Sequence, residues 1–294
     1  MIVYKRYESL IIITCFCLLC SQLFKCLSLG ENGVEMILRG KFHTNLLHNL
    51  EVLTLHFQAD VFGYEILEQV PNIEKLVVCD GSLKEMLCCE SPNNVDYSGL
   101  LLKLKVLHLE SLKDLVSIGL ENSWTETFVR SVETFEVIMC SRLKTLVASK
   151  VSFFNLKCLK VESCDSLSYL FTSSTARSLA QLQRMEIIRC YLIEEIVSKE
   201  EGKESDEDEI IFPQLSCLKL EYLKNLRMFY RKSLRLPLLE ELSITDCDEM
   251  VTLCAGTLEA TKLSQVTISD EEGIPLKTDV NSIVRKEFLR KVRV

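Results

Sequence analysis

Apolar residues return along this chain in one short phrase, apolar-x-x-apolar-x-apolar, often continued by x-x-Cys-x-x-apolar. It appears at Leu50, Leu53, Leu55, at Ile73, Leu76, Val78, and at Leu104, Leu107, Leu109. Val132, Phe135, Val137 add Cys140, Leu143 and Leu146; Leu156, Leu159, Val161 add Cys164, Leu167 and Leu170. Leu182, Met185, Ile187 run on to Cys190, Ile193 and Ile196, and Leu215, Leu218, Leu220 to Leu223 and Leu226. Leu239, Leu242, Ile244 continue through Cys247, Met250 and Leu253, and Leu263, Val266, Ile268 close the series. The copies start 23, 31, 28, 24, 26, 33, 24 and 24 residues apart.

Within each copy the last apolar pair is separated by one residue, and alternate side chains of a strand point to opposite faces. The apolar positions therefore enter an interior and the intervening ones face out. One such unit cannot bury its apolar face alone, so neighbours stack on a shared core. Copies of about 20–29 residues with this phrase predict a leucine-rich-repeat solenoid. The fold class is an α/β repeat: a curved parallel sheet on the concave face, irregular turns and short helices on the convex face. The recurrent Cys sits at the bend after the strand, where a small, weakly polar side chain fits. The hydroxyl-led stretch between Ser173 and Leu182 predicts one convex-side helix.

The chain divides into three parts. Residues 1–30 carry Lys5 and Arg6 ahead of an uncharged run from Ser9 to Phe24, which reads as a signal-peptide h-region or as a mis-started segment. At 16 residues that run is shorter than the roughly 20 a spanning helix needs. Residues 31–270 form the repeat domain, with a loop-like insertion at Cys89–Asn94 and an acidic loop at 199–209. Residues 271–294 are a basic tail, expected to be helical.

The outward positions stack into two columns. One reads Thr54, Val77, His108, Glu136, Lys160, Glu186, Lys219, Ser243, Thr267; its neighbour reads His56, Cys79, Glu110, Ile138, Glu162, Ile188, Glu221, Thr245, Ser269. Alternating charge from Glu136 to Lys219 offers cross-strand pairs. The candidate protein-binding face comprises His108, Glu110, Glu136, Lys160, Glu162, Glu186, Lys219, Glu221 and Thr245. Paired charges that merely keep the sheet soluble are the competing interpretation.

A net charge of −8 with no basic block argues against a nucleic-acid partner. Fourteen Cys in a chain long enough to bury its own core read as buried thiols more than as disulfide staples. The four His lie in the first 108 residues, and neither H-E-x-x-H nor G-x-S-x-G occurs. No enzyme is expected, and no cofactor. His56, Cys79 and His108 fall in adjacent columns, but without the close spacing of a metal motif no metal site is expected. Membrane association is expected only through residues 9–24.

Cys164-Asp165-Ser166-Leu167, the run Phe171 to Leu179, and Cys190 with Ile193-Glu194-Glu195-Ile196-Val197 form a distinctive phrase. Phe212-Pro213-Gln214-Leu215 and Leu239-Glu240-Glu241-Leu242 extend it. The chain, over roughly Val34 to Leu289, resembles the C-terminal leucine-rich-repeat region of plant coiled-coil nucleotide-binding disease-resistance proteins. That resemblance implies sensing of pathogen effectors or their host targets and restraint of a nucleotide switch. The G-x-x-x-x-G-K-[ST] phosphate loop is missing, since Gly40-Lys41 precedes Phe42 and Gly202-Lys203 precedes Glu204. The chain thus looks like a truncated receptor, in the cytoplasm unless residues 1–30 direct it to the secretory pathway. A secreted or membrane-tethered repeat receptor is the alternative, but no Asn-x-Ser/Thr sequon supports it. A ubiquitin-ligase substrate adaptor ranks third, without an F-box-like helical pattern ahead of the repeats.

Overall fold

The computed structural model describes residues 25–40, 47–56, 65–87, 103–119, 130–147, 151–199, 209–268, 271–276 and 279–292. The apolar run 9–24, the insertion 89–94 and residues 200–208 of the acidic loop lie outside them.

One eleven-stranded sheet organises the chain, each strand pairing with the next one contributed by the repeats. Its strands are Cys26–Leu29, Val52–His56, Lys75–Cys79, Val106–Glu110, Thr134–Ile138, Cys158–Glu162, Arg184–Ile188, Cys217–Glu221, Glu241–Thr245, Gln265–Ile268 and Glu271–Pro275. The first ten run parallel in unbroken register, as in Phe135↔Leu159 and Met185↔Leu218. The last is antiparallel and closes the edge. The sheet begins at Cys26, upstream of the boundary expected at residue 30. The tail expected to be helical starts as the strand Glu271–Pro275 and turns helical only over Val280–Val292. Its Lys291 ammonium reaches Asp248 at 3.0 Å, tying the helix to the last complete repeat.

Inward positions form one continuous core. Leu53, Leu76, Leu107, Phe135, Leu159, Met185, Leu218 and Leu242 are all buried, as are their partners two residues on. A one-residue slip would exchange these for the polar columns, which is why the register is firmly specified. The turning side is more regular than the irregular turns expected. Phe171–Thr172, Glu195–Ser198 and Met228–Tyr230 form a second parallel sheet, and Glu209–Ile211, Ser233–Arg235 and Leu258–Glu259 a third. Glu85–Leu87 and Ser117–Gly119 form a fourth. In the second and third sheets, segments of equal length between stacked strands arrive at the same height in successive repeats, so their own short extended stretches meet and pair. The expected helix spans Ser173–Ser178, and the hydroxyl that caps it belongs to Thr172, which accepts from the Thr175 N–H.

The bends explain the recurrent cysteines. Asp80, Ser111, Met139, Ser163, Arg189, Tyr222 and Asp246 each follow a strand and adopt left-handed φ of 52–57° without being glycine. From Asp80 to Tyr222 the N–H of each turned residue still extends the ladder, as Met139 N–H does to Glu162 O at 2.8 Å and Arg189 N–H to Glu221 O at 2.9 Å. The next residue tucks under the strand, where Cys164 donates to Glu162 O at 3.5 Å and Cys247 to Leu220 O at 3.3 Å. Burial pushes the Cys247 thiol up to about 12, so it stays a protonated donor. Every described cysteine is a free thiol.

Candidate protein-binding face

All nine candidate residues lie on the outer side of six consecutive strands, from Val106–Glu110 to Glu241–Thr245. The first column is confirmed residue by residue: His108↔Glu136, Glu136↔Lys160, Lys160↔Glu186 and Glu186↔Lys219 are register partners. In the second, Glu110↔Ile138, Ile138↔Glu162, Glu162↔Ile188, Ile188↔Glu221 and Glu221↔Thr245 follow one another.

Side-chain pairing is less simple than the alternation suggested. His108, only 16% exposed, is gripped by two carboxylates, Glu136 at 2.6 Å from Nδ1 and Glu110 at 3.2 Å from Nε2. Lys160 turns along its own strand to Glu162 at 2.9 Å. That hydrogen bond raises the lysine's pKa, and the flanking charges of Glu186 and Glu136 add to it. Glu186 takes Arg184 at 3.0 Å, while Lys219 reaches diagonally to Glu241 at 3.3 Å. Burial pulls Lys219 down, but the Glu241 carboxylate outweighs it and leaves the ammonium above its ordinary value. Ser243 donates to Glu221 at 3.4 Å and lies 3.5 Å from Thr245. These are partly exposed contacts, each contributing little to stability.

A third column escaped the sequence reading: the left-handed residues themselves. Arg189 lies 5.0 Å over the Tyr222 ring and reaches Glu162 at 3.1 Å. Met139 and Tyr222 are exposed large hydrophobics at the same rim. The signal was available, since one residue in each repeat precedes the bend residue, but neither its polarity nor its size is periodic. Ile138 and Ile188 add apolar area within the second column. The face therefore combines five carboxylates, two lysines, a clamped histidine, two arginines at its edges and an apolar, aromatic rim. Nothing in it is arranged as a nucleophile with a base.

Residues 145–271 match the family model described as plant disease resistance protein RPS2-like, leucine-rich repeats. Over that segment the repeats are similar to those of plant disease-resistance proteins. The matched segment holds Lys160, Glu162, Glu186, Lys219, Glu221 and Thr245, while His108, Glu110 and Glu136 precede it. A probable disease resistance protein of Arabidopsis thaliana is 30% identical over 99 residues, 33% of this chain and 11% of that protein. The chain thus spans a small fraction of the length of the curated relative it matches. The leucine-rich repeat domain of the type III effector XopL superposes with a TM-score of 0.52 at 16% identity, covering 83% of this chain and 76% of that one. That likeness bears on the fold alone, a leucine-rich-repeat solenoid. Among the described residues, no helix is long and apolar enough to cross a membrane.

Proposed function

We propose that this chain is a non-catalytic recognition module of plant innate immunity, working in the cytoplasm, whose concave columns take a protein ligand. The ligand is a pathogen effector or a host protein that effectors act on. The observation that carries the reading is the alignment of nine outward polar residues over six strands, bordered by Met139, Tyr222 and Arg189. Ten parallel strands at about 4.8 Å per step span roughly 43 Å, enough for a standard interface of about 800 Å² per partner. Aromatic, methionine and arginine side chains are the types enriched in such interfaces. The columns between Val106 and Glu221 hold more carboxylates than ammonium groups, so the complementary surface is basic.

Reversing two of those charges, Glu186→Lys with Glu221→Lys, is expected to weaken capture of the ligand from leaf extract several-fold without unfolding the chain. The deficit of the variant should shrink as salt rises, because exposed charges are screened over about 10 Å at 0.1 M. Lys262→Glu, outside the columns, should capture as the parent does. Equal capture by all three chains would remove the concave face from the reading. Nucleotide hydrolysis by the purified chain would contradict its non-catalytic part.

A further inference from the structure

The sequence offers no metal motif, because His56 and Cys79 are 23 residues apart. Stacking removes that separation. His56 ends one strand, Cys79 ends the next, and the two are register partners. Asp80 follows directly, in the left-handed turn at φ 53°. Cys79 Sγ lies 3.5 Å from His56 Nδ1, and Asp80 Oδ2 lies 3.4 Å from the same nitrogen. The three donor atoms all fall within 4.8 Å of one another. His108, which shared the columns with this pair in the sequence, is instead held by its two glutamates.

We propose that His56, Cys79 and Asp80 are a three-ligand site for Zn²⁺. Bonds of about 2.0 Å to nitrogen, 2.3 Å to sulfur and 2.0–2.2 Å to oxygen, opened to a tetrahedral angle, give ligand–ligand edges of about 3.5 Å for N···S and about 3.3–3.4 Å for N···O. The two edges that meet at His56 Nδ1 already have those lengths. The third edge closes by rotation of the Asp80 carboxylate, whose side chain is 67% exposed. The opposite ring nitrogen is also provided for: His56 Nε2 lies 3.2 Å from Ser28 Oγ on the first strand. A hydrogen bond from Nε2–H to Ser28 directs the Nδ1 lone pair at the thiol and carboxylate, the outer partner that metal-binding histidines need. One nitrogen, one sulfur and one oxygen suit a borderline-soft ion; Ca²⁺ and Mg²⁺ take oxygen ligands. Three protein ligands leave a fourth position open, as in zinc sites that engage a further molecule. The site occupies the two strands that precede the candidate face, and Cys79 is the register partner of Glu110 at its edge.

Co²⁺ titration of the purified, reduced full-length chain tests this, because a cobalt–thiolate bond gives a charge-transfer absorption band. One equivalent is expected to bind with that band, to be displaced by Zn²⁺, and to release the thiol proton. Cys79→Ser should abolish the band, His56→Ala should lower the affinity by tenfold or more, and Ser28→Ala should lower it about tenfold. Asp80→Ala, at an exposed turn, should weaken binding while leaving the circular dichroism unchanged, which separates loss of a ligand from loss of the fold. Absence of saturable binding at stoichiometric Co²⁺ overturns the proposal. So does a band of unchanged strength and affinity in the Cys79, His56 and Asp80 variants, which would place the ion on other cysteines.

Discussion

Leu218→Ala is expected to cost about 2–5 kcal/mol, the range for removing a fully buried leucine from a core that relaxes only in part. Leu218 has no exposed surface and stands in register between Met185 and Leu242, both buried, so the cavity opens between three repeats at once. Glu221, three residues on, points outward and donates nothing to the core; Glu221→Ala is expected to change stability by no more than about 0.5 kcal/mol. The contrast matters more than either value. A strand displaced by one residue exchanges its faces, so denaturant unfolding that found Glu221→Ala the costlier change would refute the register on which both columns rest. Stability in a stacked array is shared between neighbours, and the loss at Leu218 should reach the adjoining repeats as a broader unfolding transition.

Phe153→Ala should be costlier still, about 3–5 kcal/mol. Phe153 is fully buried, its ring 6.0 Å from Phe135 and 6.5 Å from Phe171, so it bridges two successive repeats by aromatic contact. Its backbone N–H donates to Ser178 Oγ at 3.0 Å, which ties this segment to the short helix of the next repeat. The adjacent Phe154 is the natural control, being 52% exposed with Arg130 at 5.7 Å over its ring. Phe154→Ala should cost about 0.5–1 kcal/mol, the value of an exposed cation–π contact. Unfolding curves for the two alanine variants check the prediction; similar losses at both positions would mean that Phe153 does not join the repeats.

The strands were legible because two periods coincide in the sequence: alternation within a strand and return of the whole phrase in each repeat. Both are set by burial, and burial writes itself into residue type. Cys26–Leu29 was missed because only Lys25 separates Cys26, Leu27 and Leu29 from the apolar run ahead of them, and they read as its tail. The short strands of the second and third sheets escaped because their pairing depends on equal segment length, not on polarity. Phe153, Phe171, Phe212 and Phe229 fill the space between the two sides, yet only Phe171 and Phe212 fall within the family-like phrase.

At the candidate face, the columns could be read from the sequence and their contacts could not. Register brings Lys160 between Glu136 and Glu186, but rotamer choice sends its ammonium to Glu162. The rim of Met139, Arg189 and Tyr222 depends on a left-handed turn that leaves no glycine to announce it. The same turn brings Asp80 to His56 and Cys79.

Hydroxyl-radical footprinting of the chain alone and with its captured protein ligand tests the concave-face account most directly, because it reads side chains where they stand. Met139 and Tyr222 are exposed, oxidisable and placed at the rim of the columns, and the account predicts that both become protected in the complex while Phe154 and Leu289 stay reactive. Unchanged oxidation of Met139 and Tyr222, with protection at Phe154 or along the helix Val280–Val292, would contradict it.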